Sequence, residues 1–167
     1  LRVFGSLVHG SPEAIATTQA APQRYYQRPD ATHVELDPTR TSLAGLGALW
    51  SVGKWEGGHV HYGTGGSVRT PGLESNDLGF QRRADERTMN HWLQWRDQTP
   101  GKYVRQYMVN FNQWAGWNFG GDRLYGGGNV NMHWTFQNNW RTGFGVNMNG
   151  GAVRDRMGDD PARMLDL

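Results

Sequence analysis

The chain has 167 residues, the size of one domain, and carries 17 Lys+Arg against 15 Asp+Glu, a formal charge of +2. That balance is too mild for a nucleic-acid groove, even with a sequence pI of about 9.2. Cysteine is absent, which excludes disulfide scaffolds and Cys-based zinc or redox centres. No apolar run approaches the roughly 20 residues of a spanning helix, so a helical membrane protein is excluded as well.

Period-two alternation recurs along the chain in blocks separated by Gly, Pro, Asn and Asp. The first block is Leu1 to Val8. Ser11 to Gln19 follows, either a short helix with Ser11 as cap, Pro12 in the first turn and Glu13 near the dipole, or irregular loop. Further blocks are Thr41 to Gly53, His59 to Val68, Met89 to Arg96, Lys102 to Phe119, Leu124 to Phe136 and Trp140 to Asn149. The pattern predicts an all-β fold, an antiparallel up-and-down meander of about seven or eight long strands. Leu1 in place of Met, with no signal-peptide pattern after it, reads as a mature or truncated piece of something larger.

Register follows from keeping like faces together, since a slip of one residue reverses every side chain. A three-residue hairpin through Gln137, Asn138 and Asn139, with Asn139 left-handed, sets Phe136 opposite Trp140, Trp134 opposite Thr142, Met132 opposite Phe144 and Val130 opposite Val146. A two-residue primed turn at Gly120 and Gly121 sets Trp117 opposite Leu124, Phe111 opposite Val130 and Tyr107 opposite Trp134. A turn through Gln98 to Pro100 sets Trp95 opposite Tyr103.

These pairings gather Trp95, Tyr103, Tyr107, Trp134, Phe136 and Trp140 at one end of the sheet, and Trp117, Phe119 and Tyr125 at the other. Tyr107 to Trp117 spans about 33 Å at roughly 3.3 Å per residue. Tilted by about 40°, that stretch covers around 25 Å, the height of the lipid-facing band of a transmembrane barrel. The short turns at 54–58, 98–101 and 137–139 share one end. The long connections, about 9–40 and 69–87, share the other with the 120–121 turn and the tail after Arg154, as in outer-membrane barrels. Gln113 in the apolar row and Arg105 just outside the aromatic belt run against the pattern.

Chemical motifs are sparse. His59 and His61 lie on one strand face at a spacing that suits two metal ligands, yet no third ligand joins them and no metal is expected. Glu74, Asp77, Asp85 and Glu86 suit carboxylate-pair hydrolysis or Ca²⁺, and read as solvated loop charges interleaved with Arg82, Arg83 and Arg87. Asn76, Asp77 and Gly79 read as a structural turn. Gly120-Gly121-Asp122 joins strands rather than opening a helix, so it is no phosphate loop. No Ser/His/Asp arrangement is legible, and no catalytic residue or cofactor is expected.

Several motifs carry a family resemblance. Arg28-Pro29-Asp30-Ala31, Thr41-Ser42-Leu43-Ala44-Gly45, the connection from Pro71 to Phe80 with its Asn-Asp-Leu-Gly-Phe, the run Asn112 to Arg123 with its Trp-Asn-Phe-Gly-Gly-Asp, and Asn138-Asn139-Trp140, in this order, resemble domain-of-unknown-function family 5916. The resemblance covers nearly the whole chain. It implies an outer-membrane β-barrel protein of a Gram-negative bacterium, one that commonly carries an N-terminal domain similar to family 9 carbohydrate-binding modules. That module is missing here, and Gly158-Asp159-Asp160-Pro161 stands where a Gly-Gly-Pro turn is expected.

The expectation is therefore a single β-barrel fragment over 1–167, or an arc of a larger barrel, with long outer loops and a tail over 154–167. Its partners would be the outer-membrane bilayer, the remaining strands of the same full-length protein and, as a further candidate, glycans, with no nucleic acid. Its function would be transport, surface binding or assembly without catalysis. The alternatives are a soluble β-sandwich carbohydrate-binding module stacking sugars on Trp92 or Trp114, and a hydrolase using Glu74 and Asp77.

Overall fold

The computed structural model describes residues 1–28, 31–76 and 79–151. Asp77 and the tail over 154–167 lie outside them. Seven strands form one sheet in chain order: β1 (Arg2–His9), β2 (Ser42–Lys54), β3 (Val60–Arg69), β4 (Glu86–Asp97), β5 (Val104–Trp117), β6 (Arg123–Phe136) and β7 (Arg141–Gly151). Every neighbouring pair is antiparallel, so the fold is the all-β meander that the alternation predicts. The sheet is open. No second sheet packs on either face among the described residues, which removes the basis for a sandwich.

The only helix among the described residues, α1 (Pro12–Ala20), starts as its sequence dictates. Ser11 accepts the Ala14 N–H at 3.3 Å, Pro12 occupies the first turn and Glu13 adds negative charge at the dipole's positive end.

The β6–β7 hairpin has the expected register, with Val130 opposite Val146, Met132 opposite Phe144 and Trp134 opposite Thr142. Asn139 takes the left-handed conformation at φ 66, and its N–H bonds to the Phe136 carbonyl at 3.0 Å. Phe111 and Tyr107 face Val130 and Trp134, also as expected.

Two registers differ. Trp95 lies opposite Val109, not Tyr103, because the β4–β5 connection runs through 98–103 and is closed by Asp97 on the Thr99 N–H and by Gly101 on the Val104 carbonyl. Trp117 lies opposite Arg123, not Leu124, since a register shift intervenes between Gly116 and Trp117. The Gly120-Gly121 connection is accordingly no two-residue primed turn. It is a loop over 118–122 in which Asn118 bonds three times to Asp122, and Gly121 supplies a φ of 95 that side chains avoid.

The sheet has two unlike faces. Val3, Leu46, Met89, Leu93, Phe111, Val130, Phe144 and Val146 share one by register, and all are exposed. The other carries amides, hydroxyls and glycines. There Asn110 donates to Asn131 at 2.6 Å, Asn112 to Asn129 at 2.7 Å, and Gln94 to Asn110 at 2.8 Å, which stitches β4, β5 and β6 together.

Apolar burial sits mainly in the connections. Ile15, Tyr25, Tyr26, Ala31, Leu73 and Ala84 are buried there, Leu43 is buried at the very start of β2, and Ala115 in β5 and Leu124 near the start of β6 are buried within the sheet. The connections 10–41 and 70–85 join at one end of the sheet and fold onto its polar face. Ser6 Oγ, on that face, accepts the Glu74 N–H at 2.8 Å. Gly45 lets the Gly72-Leu73 backbone approach so closely that a Cβ there would overlap it.

Candidate functional site

This folded cap is where the chain concentrates its buried charge. Segment 21–28 is a chain of tight turns, with Arg24 and Tyr25 both bonding back to the Ala21 carbonyl at 2.8 Å. It turns Arg24 and Arg28 inward, where both are buried. Arg24 donates to the Leu73 carbonyl and to Glu74 Oε2, the latter at 2.8 Å. Arg28 pairs with Asp85 Oδ2, which His33 Nε2 also meets at 2.7 Å. The second Asp85 oxygen accepts the Phe119 N–H at 2.9 Å. One carboxylate thus ties the β1–β2 connection, the β3–β4 connection and the β5–β6 loop together. It leads directly into β4, and its left-handed φ of 53 marks the corner where the chain turns into the sheet.

Amides complete the cap. Gln81 accepts from the Ser75 N–H and hydroxyl at 2.7 and 2.8 Å and donates to the Leu73 carbonyl at 2.9 Å. Gln19, fully buried at the end of α1, donates to the Asp37 carbonyl and accepts the Asp37 N–H, as a neighbouring strand would. Burial would raise the Glu74 carboxyl, but the Asn76 N–H and the Arg24 guanidinium outweigh it and hold the group below the usual Glu value. Burial pushes the Tyr26 phenol up.

Glu74, Asp85 and Glu86 are therefore not the solvated charges that the sequence implies. Asp85 is clamped by Arg28 and His33, Glu74 by Arg24, and Glu86 by Arg69 at 2.9 Å and the Tyr125 hydroxyl at 3.1 Å. Each is matched to a cation. The Gly79 N–H bonds to the Asn76 carbonyl at 3.3 Å and the Gln81 N–H to the Asn76 side chain at 3.0 Å. His59 and His61 share a face but not an environment, as His59 is exposed against the Arg96 carbonyl and His61 is buried. No group of three potential metal ligands occurs among the described residues.

The aromatics named from sequence are distributed along both rims. Trp95 and Tyr107 meet edge to face at 5.7 Å, Tyr107 faces Trp134, and Trp134 lies 5.8 Å from Phe144, all at the end away from the cap. Tyr103 and Trp140 project, highly exposed, from the connections there, with Lys102 Nζ 5.1 Å from the Tyr103 ring and Asn138 accepting the Trp140 N–H at 3.1 Å. Phe136 pairs with Val104. Trp117 and Phe119 stand at the cap end, Phe119 beneath the Arg87 guanidinium at 5.2 Å.

Beside the cap, the polar face holds an open cavity of about 610 Å³ over β2, β3 and β4. Ser51, Ser67, Thr88 and Asn90 line it, with Arg69 toward the cap and the tilted ring pair Trp55–Trp92, 4.8 Å apart, at the far end. The sequence singled out Trp92 and, as part of a family motif without a role, Arg28, but not Arg24, His33 or Gln81; the roles of these cap residues arise only from pairing across distant connections. The one local signal was that segment 21–40 lacks either period and is too long to be a plain turn.

No curated protein and no solved structure is significantly similar to the chain. A family model, Domain of unknown function (DUF5916), matches residues 16–157, a span that runs from within α1 through the rest of the cap and β2 to β7. The protein belongs to that family.

Proposed function

We propose that the chain is part of the wall of a Gram-negative outer-membrane β-barrel, acting in transport, surface binding or assembly and without chemistry of its own. The observation that carries this reading is the inversion of burial. Large apolar side chains are exposed on one face of all seven strands, while the amides other than Gln113 face the opposite, cap-bearing side. In water such a face would be an aggregation surface far larger than the few hundred Å² that soluble monomers tolerate. Against hydrocarbon it is the stable arrangement, and the polar face becomes the lumen. The cap then lies inside the mouth of the barrel and narrows it. β1 and β7 would pair with the remaining strands of the same full-length protein, because hydrocarbon leaves no solvent for an open edge.

The cavity over β2, β3 and β4 supports a ligand class for this lumen. Hydroxyl and amide side chains with an aromatic wall suit a neutral saccharide, so glycans are the candidate luminal partner. Trp92→Ala would then weaken glycan binding in titration.

Single cysteines test the wall directly, because the chain contains none. The protein with its native flanks is reconstituted in vesicles with a bromide or nitroxide quencher on the acyl chains. A fluorophore at Val130→Cys is expected to be quenched and one at Asn129→Cys to be spared. Equal quenching at the two neighbours, or a protein monodisperse without detergent, would overturn the reading.

A further inference from the structure

At the cap-side rim of the apolar face, two arginines flank a tryptophan. Arg87 on β4 is the cross-strand partner of Trp117 on β5, and Trp117 is in turn the partner of Arg123 on β6. Two interstrand spacings separate the arginine Cα atoms, roughly 10 Å at about 4.8 Å each.

Arg123 reaches this face through the register shift. Tyr125 lies opposite Gly116 and Arg123 opposite Trp117, so Leu124 is the extra residue of a bulge. Without it, Leu124 would face Trp117 and Arg123 would follow the alternation onto the polar side. A bulge at a sheet end re-aims a side chain in this way. The guanidinium then lies along the sheet where two glycines leave room. A Cβ on Gly126 would overlap Arg123 Nη2, and one on Gly150, the partner of Gly126, would lie 3.4 Å from it. Gly126 pairs with Ala115 on the apolar face, which fixes the side on which Arg123 lies.

The donors of this pair are largely unspent. Arg123 has no hydrogen-bond or ion-pair partner among the described residues. Arg87 uses Nη2 on the Asn118 carbonyl at 2.8 Å and rests over the Phe119 ring, which fixes its plane and leaves other N–H groups of its fork free. The nearby carboxylates are engaged elsewhere: Asp122 with Asn118 inside the loop, and Glu86 on the polar face with Arg69 and Tyr125.

Two planar, permanently charged forks near the edge of an apolar band suit phosphate esters electrostatically, and each can hold two phosphate oxygens. We infer that Arg87 and Arg123 each take a phosphate of a bis-phosphorylated glycolipid in the outer leaflet, with Trp117 between them seated at the headgroup boundary. This inference rests on the barrel reading given above, which sets the rim at headgroup depth.

The test uses the protein with its native flanks, extracted in detergent and titrated with lipid A, a bis-phosphorylated acylated glucosamine disaccharide, and with its dephosphorylated form. Wild type is expected to bind the phosphorylated form at least about tenfold more tightly, an advantage that R87Q/R123Q abolishes. R87K/R123K, which keeps the charge, is expected to restore part of it. Arg105→Gln, at the opposite rim, leaves binding unchanged. The inference is overturned if R87Q/R123Q still migrates as a folded barrel and binds as wild type does, or if inorganic phosphate displaces the lipid at equal concentration. Detergent-phase partitioning without arginine dependence sinks this inference alone. Partitioning into the aqueous phase sinks the barrel reading with it.

Discussion

Arg28 and Asp85, separated by 57 residues, meet as a buried ion pair at the point where both long connections and the β5–β6 loop converge. Asp85 answers three donors at once: Arg28, His33 and the Phe119 N–H. Breaking a buried pair on one side strands the other charge, at a cost of about 3–5 kcal/mol. Asp85→Asn is therefore expected to loosen the cap by several kcal/mol while the strands stay paired. Hydrogen exchange would show it as accelerated exchange of amides in 21–28 and 79–85 with β5 and β6 unchanged. Uniform acceleration across the sheet would refute a separable cap.

The Arg24–Glu74 contact makes the cap sensitive to acid. The Glu74 carboxyl is held below its ordinary 4.5, so its contribution is complete above that value and is lost as the pH falls through the lower, folded value. Exchange of the Leu73 and Ser75 amides is expected to speed up in that acid window, after correction for the intrinsic pH dependence of exchange. Glu74→Gln should flatten the response, and a profile unchanged by Glu74→Gln would assign the acid sensitivity to another group.

Gln113 and His91 face each other across β4 and β5 in the middle of the exposed apolar face. If that face meets hydrocarbon, Gln113→Leu removes a polar group that lipid cannot satisfy. A gain of about 1–3 kcal/mol in unfolding from vesicles is expected. Asn112→Leu, one residue away, should destabilise by about 0.5–1.5 kcal/mol because it breaks the 2.7 Å bond to Asn129. The opposite signs at adjacent positions are the measurement, and two losses would argue that both faces are wet.

A methyl group at Gly45 would overlap the Gly72-Leu73 backbone, and backbone cannot swing aside as a side-chain tip can. Gly45→Ala is expected to push the β3–β4 connection off the polar face and raise proteolysis within 70–76. Unaltered cleavage would mean that the connection relaxes without leaving the sheet.

Legibility in the sequence followed the range of the interaction. The β6–β7 hairpin was readable to the residue because alternation on both strands and the left-handed preference of Asn139 give the same answer. Parity alone fixes register only to within two residues. Trp95 could therefore lie six residues further along its partner strand, against Val109, without any side chain changing face. The Leu124 bulge was invisible for a different reason, since an extra residue at a strand end leaves the alternation beyond it intact. The cap escaped because its bonds join residues 50 and 57 positions apart, and isolated arginines and carboxylates in polar loops look the same whether solvated or paired.

The placement of Ile15, Leu43 and Leu73 has a calorimetric consequence. The heat capacity of unfolding grows with apolar surface newly exposed to water. A sheet whose apolar side chains already lie outside the fold contributes little to it, and its stability comes instead from interstrand hydrogen bonds and the amide pairs beside them. Most of the heat-capacity increment then belongs to the cap. Its melting should trace a curved free-energy profile with temperature, while that of the strands beneath it stays close to linear.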